Sequence, residues 1–367
     1  MFENLKYQVA LTLIQGVGPV LAKSLISYCG SAEAIFREKE SKLLLIPDIG
    51  PKTAKAIITH DVFARAEEEC QFIIKNKITP LFYLDKNYPK RLNNCHDAPL
   101  LLYFKGCAEF NSEKIVGIVG TRNATEYGKT ITEELVTGLG ASGVVIISGL
   151  AYGIDICAHK VAVKHNIPNI GVVGHGLDRI YPSNHRSTAE KMALNGGVLT
   201  EFPSGTNPDR ENFPARNRIV AGLCDAIVVV ESADKGGALI TADVAMSYNR
   251  DVFAVPGNVN NIYSRGCNAI IRDNKAALVE SSADVIRMMR WQEGDRPKKS
   301  SIQKKLFNDL SEDELQLVNL LEENGLVEAD VFSWKLQLSP GKVASLLLQM
   351  ELKGLVKALP GKQFQLT

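Results

Sequence analysis

From Lys114 to about residue 290 the chain alternates short β-branched, apolar runs with longer amphipathic stretches, and nothing else in it limits the fold as tightly. The runs 115–119, 144–148, 169–173, 197–200, 226–230, 252–255 and 277–279 read as strands, and 128–141, 153–165, 184–195, 215–223 and 238–248 read as helices between them. Strands that are apolar on both faces need helices on both sides. The expected class is therefore α/β, with a doubly wound, mostly parallel sheet and ligands received at the carboxyl ends of its strands.

The first such end is the most telling. Ile115-Val-Gly-Ile-Val119 stops at Gly120-Thr121-Arg122 and gives way to a helix from about Glu126. A strand that ends in glycine and turns into a helix points backbone N–H groups at a site suited to phosphate. Arg122 adds a planar cation there. A dinucleotide site is not expected. Glycines 117, 120 and 128 have the wrong spacing, and the second strand ends in Ser148-Gly149 where an acid should hold a ribose. Gly128-Lys129-Thr130 lacks the earlier glycine of a nucleotide-triphosphate loop. What gathers at strand ends is instead a set of small residues, hydroxyls and cations: Gly120-Thr121-Arg122, Ser148-Gly149, Gly174-His175-Gly176 and Lys235-Gly236-Gly237 with Thr241. Small residues let a polyanionic backbone come close, and hydroxyls and amides bond its oxygens. A second cationic cluster, Arg216-Asn217-Arg218, follows Phe213-Pro214. On a helix Arg216 and Arg218 stand about 200° apart, so one is expected to face the cleft and the other to brace a buried acid such as Asp225 or Glu231.

Catalytic signals are thin. Asp155 and His159, four residues apart, are expected to cap and steady their own helix. His175 between two glycines is a weak phosphate donor candidate, no nucleophile–base set appears, and no cluster of acids is spaced to hold Mg²⁺. The seven cysteines form no CxxC pair and the six histidines show no paired-ligand spacing, which fits reduced cytosolic thiols without a metal or cofactor. No run approaches membrane-spanning length, and a net charge of +1 means that any nucleic-acid contact must come from local clusters.

Two smaller segments flank the alternating region. Residues 1–75 are helical in pattern and contain a near-repeat, Ile14-Gln-Gly-Val-Gly18-Pro19 echoed by Ile46-Pro-Asp-Ile-Gly50-Pro51, each proline opening a helix. This resembles a doubled helix-hairpin-helix, whose hairpin amides and lysines (Lys23, Lys52, Lys55) can grip a nucleic-acid backbone. Residues 76–110 read as a connecting strand-and-loop layer, and 291–305 as a polar linker. Residues 306–367 read as three helices, 311–322, 328–337 and 342–353, then a hairpin, an order that resembles a winged helix. Five lysines face nine acids there, a net of −4, so the segment is expected to dock protein rather than read a groove.

Eight ordered blocks, GIVGTRNATEYG (117–128), SGLAYGIDICAH (148–159), GHGLDRIYP (174–182), TEFPSG (200–205), FPARNRIVAG (213–222), GGALITADVA (236–245), VFAVPGNV (252–259) and GCNAIIR (266–272), together resemble the DprA (Smf) family of DNA-processing proteins. The resemblance implies an extended Rossmann-like domain at 76–290 between a small all-α helix-hairpin-helix domain and a winged helix. It also implies a cytoplasmic, non-enzymatic protein that binds single-stranded DNA, forms a homodimer through the Rossmann-like domain, and loads RecA recombinase during natural transformation. Arg122 and the Phe213–Arg218 block correspond to the family's DNA-contacting pocket. Two positions depart from the family. Tyr152 stands where members often carry a basic residue, and Lys235-Gly236-Gly237 replaces a more usual Ser-Gly-Ser.

The reading that follows is a mediator without catalysis. It holds consecutive phosphates with Gly120, Thr121, Arg122, Ser148, Gly149, Arg216, Asn217, Arg218, Lys235, Gly236 and Gly237. One alternative is a nucleotide-processing enzyme similar to phosphoribohydrolases, with Asp243 supplying a carboxylate. Another is a winged-helix regulator whose α/β domain senses a phosphorylated effector.

Overall fold

The computed structural model describes residues 2–291, 310–325, 327–336, 338–359 and 363–366. Most of the expected linker, from residue 292 on, lies outside them. The chain up to Arg290 packs as one unit, and the winged-helix segment is a second.

Nine strands form the central sheet: β1 (Thr79–Phe82), β2 (Leu101–Gly106), β3 (Ile115–Val119), β4 (Val145–Ser148), β5 (Asn169–Val172), β6 (Gly196–Thr200), β7 (Ala226–Val229), β8 (Asp251–Ala254) and β9 (Ala277–Leu278). Their order is β1-β2-β6-β5-β4-β3-β7-β8-β9. Pairing from β6 through β3 to β9 is parallel throughout, while β1 and β2 add an antiparallel edge on β6. Every residue of β3, β4, β5, β6 and β7 is buried, which is the two-sided burial that unbroken apolar runs require. The chain winds outward from β3 to β6, then returns to lay β7 on the other side of β3. That reversal opens a crevice between the carboxyl ends of β3 and β7.

Helix Pro19–Cys29 and helix Pro51–Ile58 each begin at a proline preceded by an extended glycine, Gly18 or Gly50, so the repeat is a pair of matched turns. Their apolar faces, including Leu25, Ile26 and Ile57, share one core with Leu101 and Tyr103 of β2. The helical segment thus covers the antiparallel end of the sheet. Lys23 belongs to this packing: its ammonium sits 5.3 Å from the Tyr83 ring centroid, and burial lowers its pKa. Lys52 and Lys55 are exposed.

In the second unit, helices Glu312–Asn324, Ala329–Leu336 and Pro340–Leu352 enclose Leu317, Leu321, Phe332, Leu347 and Met350. The expected hairpin, β11 (Val356–Leu359) with β12 (Gln363–Leu366), gains a short third strand, β10 (Val327–Glu328). Lys342, in the third helix, and Lys353, just after it, pair with Asp313 and Glu314 of the first, both at 2.6 Å. The cations around the would-be recognition helix are already engaged.

Candidate functional site

A cleft of about 640 Å³ occupies the crevice over β3 and β7. Gly120, Thr121 and Arg122 from the β3 loop, Arg216 and Asn217 from helix Asn212–Leu223, and Gly236 and Gly237 at the start of helix Gly237–Ser247 all line it. Lys235 stands exposed on the loop just before Gly236. Arg210 and Phe213 line the cleft as well. Sequence reading passed over Arg210, although it lies only three residues before the aromatic that opens the second cationic cluster.

Arg216 is 5 % exposed, and its Nε has no hydrogen-bond partner. Burial lowers its pKa, Asp155 opposes that, and nearby Arg122 adds to it. The guanidinium fits only because residue 149 is glycine: a Cβ there would lie 1.5 Å from Nη1 and 2.6 Å from an Asp155 carboxylate oxygen. Asp155 accepts the Gly149 N–H at 3.1 Å, and burial pushes its carboxyl above the usual value, with Arg216 the strongest opposing influence. A buried guanidinium with a free N–H is a strong attractor for an anion that reaches it.

Arg122 lies close by, exposed, in no ion pair among the described residues, with its guanidinium carbon 5.1 Å from the Phe213 ring centroid. Phe213 in turn lies 6.3 Å from the tilted, half-exposed ring of Tyr181. Arg122, Tyr152, Tyr181 and Phe213 wall a second space of about 80 Å³ whose lining also includes Arg216. Cations beside aromatic faces suit a polymer of phosphates and flat rings.

Several expectations need correction. At the N-terminus of helix Glu126–Ala141 an acid already stands where a phosphate was expected: the Glu231 carboxylate accepts the Thr125 N–H at 3.0 Å and the Thr125 hydroxyl at 2.6 Å, while its carbonyl accepts the Thr121 N–H at 2.7 Å. Ser148 is wholly buried, and its hydroxyl donates to the Ile118 carbonyl at 2.6 Å, stitching β4 to β3. Arg218 does brace an acid, but the acid is Glu201, with the Asp97 carbonyl accepting at 2.6 Å; Asp225 pairs with Arg91 instead. Asp155 and His159 do not pair with each other. His159 Nδ1 lies 2.9 Å from Asn169 Oδ1, and burial drives its pKa down to about 4. Both His175 nitrogens serve their own loop, Nδ1 toward the Gly176 carbonyl and Nε2 accepting the Tyr181 N–H. Asp243 is exposed and paired with Lys275 at 3.3 Å, and it is not among the residues lining the cleft, which weakens the nucleotide-processing alternative. Among the described residues, no group of three His, Cys, Asp or Glu side chains could hold a metal ion, and no helix is long and apolar enough to cross a membrane.

The fold and site define a doubly wound α/β protein with a cationic, aromatic-walled cleft at its switch point. Comparison with known proteins narrows the class. A family model described as DNA recombination-mediator protein A matches residues 79–290, a SAM-like helix-hairpin-helix tandem matches 9–60, and a DprA winged helix domain matches 306–362. Protein Smf of Synechocystis is 37% identical over 286 residues, covering 75% of this chain and 70% of that protein. DNA processing protein DprA of Streptococcus pneumoniae is 40% identical over 203 residues, covering 55% and 71%. The crystal structure of the pneumococcal protein aligns with a TM-score of 0.66 at 32% identity, over 77% of this chain and 97% of that one. A Helicobacter pylori DNA processing protein A, whose structure concerns its single-stranded DNA binding mode, aligns with a TM-score of 0.53 at 30% identity, over 58% and 96%. The chain belongs to the DNA recombination-mediator protein A family, also called DprA or Smf. Its class of function is DNA processing as a recombination mediator.

Proposed function

We propose that this protein binds single-stranded DNA along the strand-end cleft, performs no chemistry on it, and passes it to RecA recombinase during natural transformation. The observation that carries the reading is Arg122 over the Phe213 ring, beside the buried Arg216 whose Nε has no hydrogen-bond partner. Arg122, Arg216, Asn217 and Lys235, with Gly120, Thr121, Gly236 and Gly237, meet the phosphates. Phe213, Tyr181 and Tyr152 offer faces to bases, which any base can use. Ser148, Gly149 and Arg218 act from beneath, holding β4, making room for Arg216 and fixing the helix that presents it. A homodimer joins two clefts on one strand and raises affinity through effective concentration. The single-stranded DNA binding mode named for the H. pylori relative supports the same class of ligand here.

Mobility shifts of an oligo(dT) and a matched duplex, across a salt series, test the proposal. Arg122→Ala is expected to lower single-strand affinity at least tenfold and to flatten the log–log salt slope by about 0.7 per phosphate lost. Wild-type protein is expected to shorten the lag of RecA filament growth on oligo(dT) covered by a single-strand-binding protein, and the variant is not. Unchanged affinity and slope in Arg122→Ala would overturn the assignment.

A further inference from the structure

A second groove begins on the other side of Arg122. It offers about 700 Å³ between the N-terminal turns of helix Glu126–Ala141 and helix Ile154–Lys164. Arg122 and Tyr152 line both this groove and the aromatic slot, so the two spaces share a wall. Gly153 sets that wall. Its φ is +78°, and a Cβ would lie 2.1 Å from the Thr121 carbonyl oxygen, so the Tyr152 loop and the Arg122 loop press directly together. Beyond the wall stand Lys129 and Lys160, and no Asp or Glu is among the lining residues. Lys160 is exposed and makes no ion pair among the described residues. Among the described residues Lys129 pairs only with Glu126, three residues before it, and both side chains are at least half exposed. Such a pair holds weakly and yields readily to a phosphate.

The geometry points to this groove as a second lane of the same DNA site, occupied by the next nucleotides of the strand lying in the cleft. The inference rests on the proposed function, since it extends the same polymer around the Arg122 corner. Tyr152, 45 % exposed, offers the stacking plane where the strand turns. Lys129 and Lys160 neutralise the phosphates that follow. Cys157 lines the groove, and its thiol approaches the Lys129 carbonyl at 3.8 Å, which makes it a natural reporter.

The test compares a short oligo(dT) of about 6 nucleotides with one of about 20, lengths on either side of a single lane's span. Lys129→Gln with Lys160→Gln is expected to leave the short oligonucleotide's affinity unchanged. It should weaken the long one about tenfold and flatten its salt slope by about 1.4, the share of two phosphates. Arg122→Ala is expected to weaken both. A photoreactive maleimide on Cys157, in a background with Cys29 and Cys107 changed to serine, is expected to crosslink the long oligonucleotide and spare the short one. If Arg122→Ala weakens both while the lysine pair leaves the long one untouched, the lane is overturned and the cleft stands. Equal weakening of both lengths by the lysine pair overturns it too, since a diffuse field has no length dependence. If Arg122→Ala changes neither, the cleft itself fails and the lane with it.

Discussion

Helix Asn212–Leu223 presents two arginines, two residues apart, to two different regions. Toward the sheet's antiparallel end, Arg218 has protein partners for its guanidinium: Glu201 and the Asp97 carbonyl. Asp97 also receives the Tyr248 hydroxyl, and Lys23 packs nearby. Toward the switch point, Arg216 is more deeply buried yet keeps an unpartnered Nε, with only the electrostatic pull of Asp155. Leaving a buried donor unmade costs free energy that folding alone has no reason to spend. The contrast lies in the two guanidiniums: Arg218 is bonded to the protein, whereas Arg216 lines an open cleft with its Nε unbonded.

The comparison breaks most visibly at the braced end. Arg218→Met should lose about 3–5 kcal/mol of unfolding free energy, because Glu201 would be left buried and uncompensated. Its folded fraction should keep its oligo(dT) affinity, read by urea titration alongside mobility shifts. A DNA defect at full stability would show that Arg218 contacts the strand itself. Next in size is a pH effect beneath the cleft. The unfolded chain takes up a proton at His159 near pH 6.5, whereas the folded protein refuses it until about 4. Stability should therefore fall by up to about 3 kcal/mol as pH drops through that window. Asp155, raised by burial, works in the opposite sense toward its ordinary value of 3.8. Subtracting the curve of His159→Gln from wild type isolates the histidine, and identical slopes would remove it from the account. Smallest in stability is Arg216→Met, about 1–2 kcal/mol: buried Asp155 loses its opposing guanidinium but keeps the Gly149 N–H, and an unpartnered buried donor is removed with the charge. Its oligo(dT) affinity should nevertheless drop about tenfold. If Arg216→Met proves as unstable as Arg218→Met and binds normally, the two arginines share one structural role.

Much of this was legible beforehand. The seven parallel strands followed from apolar runs with turn signals, and the β3 loop with Arg122 followed from a strand ending in glycine. Pairing partners were harder. Residues 79–82 and 101–106 carry a strand pattern, but nothing in it says that β2 joins β6, with Phe104 opposite Leu199, past three intervening strands. The site was read as a list of residue types, and its hierarchy stayed hidden. Ser148 and Arg122 look equally polar in a sequence, although one is spent on the Ile118 carbonyl and the other meets solvent. Glu231 was expected to steady an arginine, yet it serves the helix beside it, because that depends on where β7 ends relative to Thr125. Hydrogen-bond partners are a property of the assembled sheet.

The carboxylate of Glu231 occupies the spot where many sheets of this type receive a terminal phosphate. On the proposed reading, the β3 loop therefore meets a strand through Arg122 and not through the helix start beside it, and closed circles and linear fragments of equal length are expected to compete equally for the cleft.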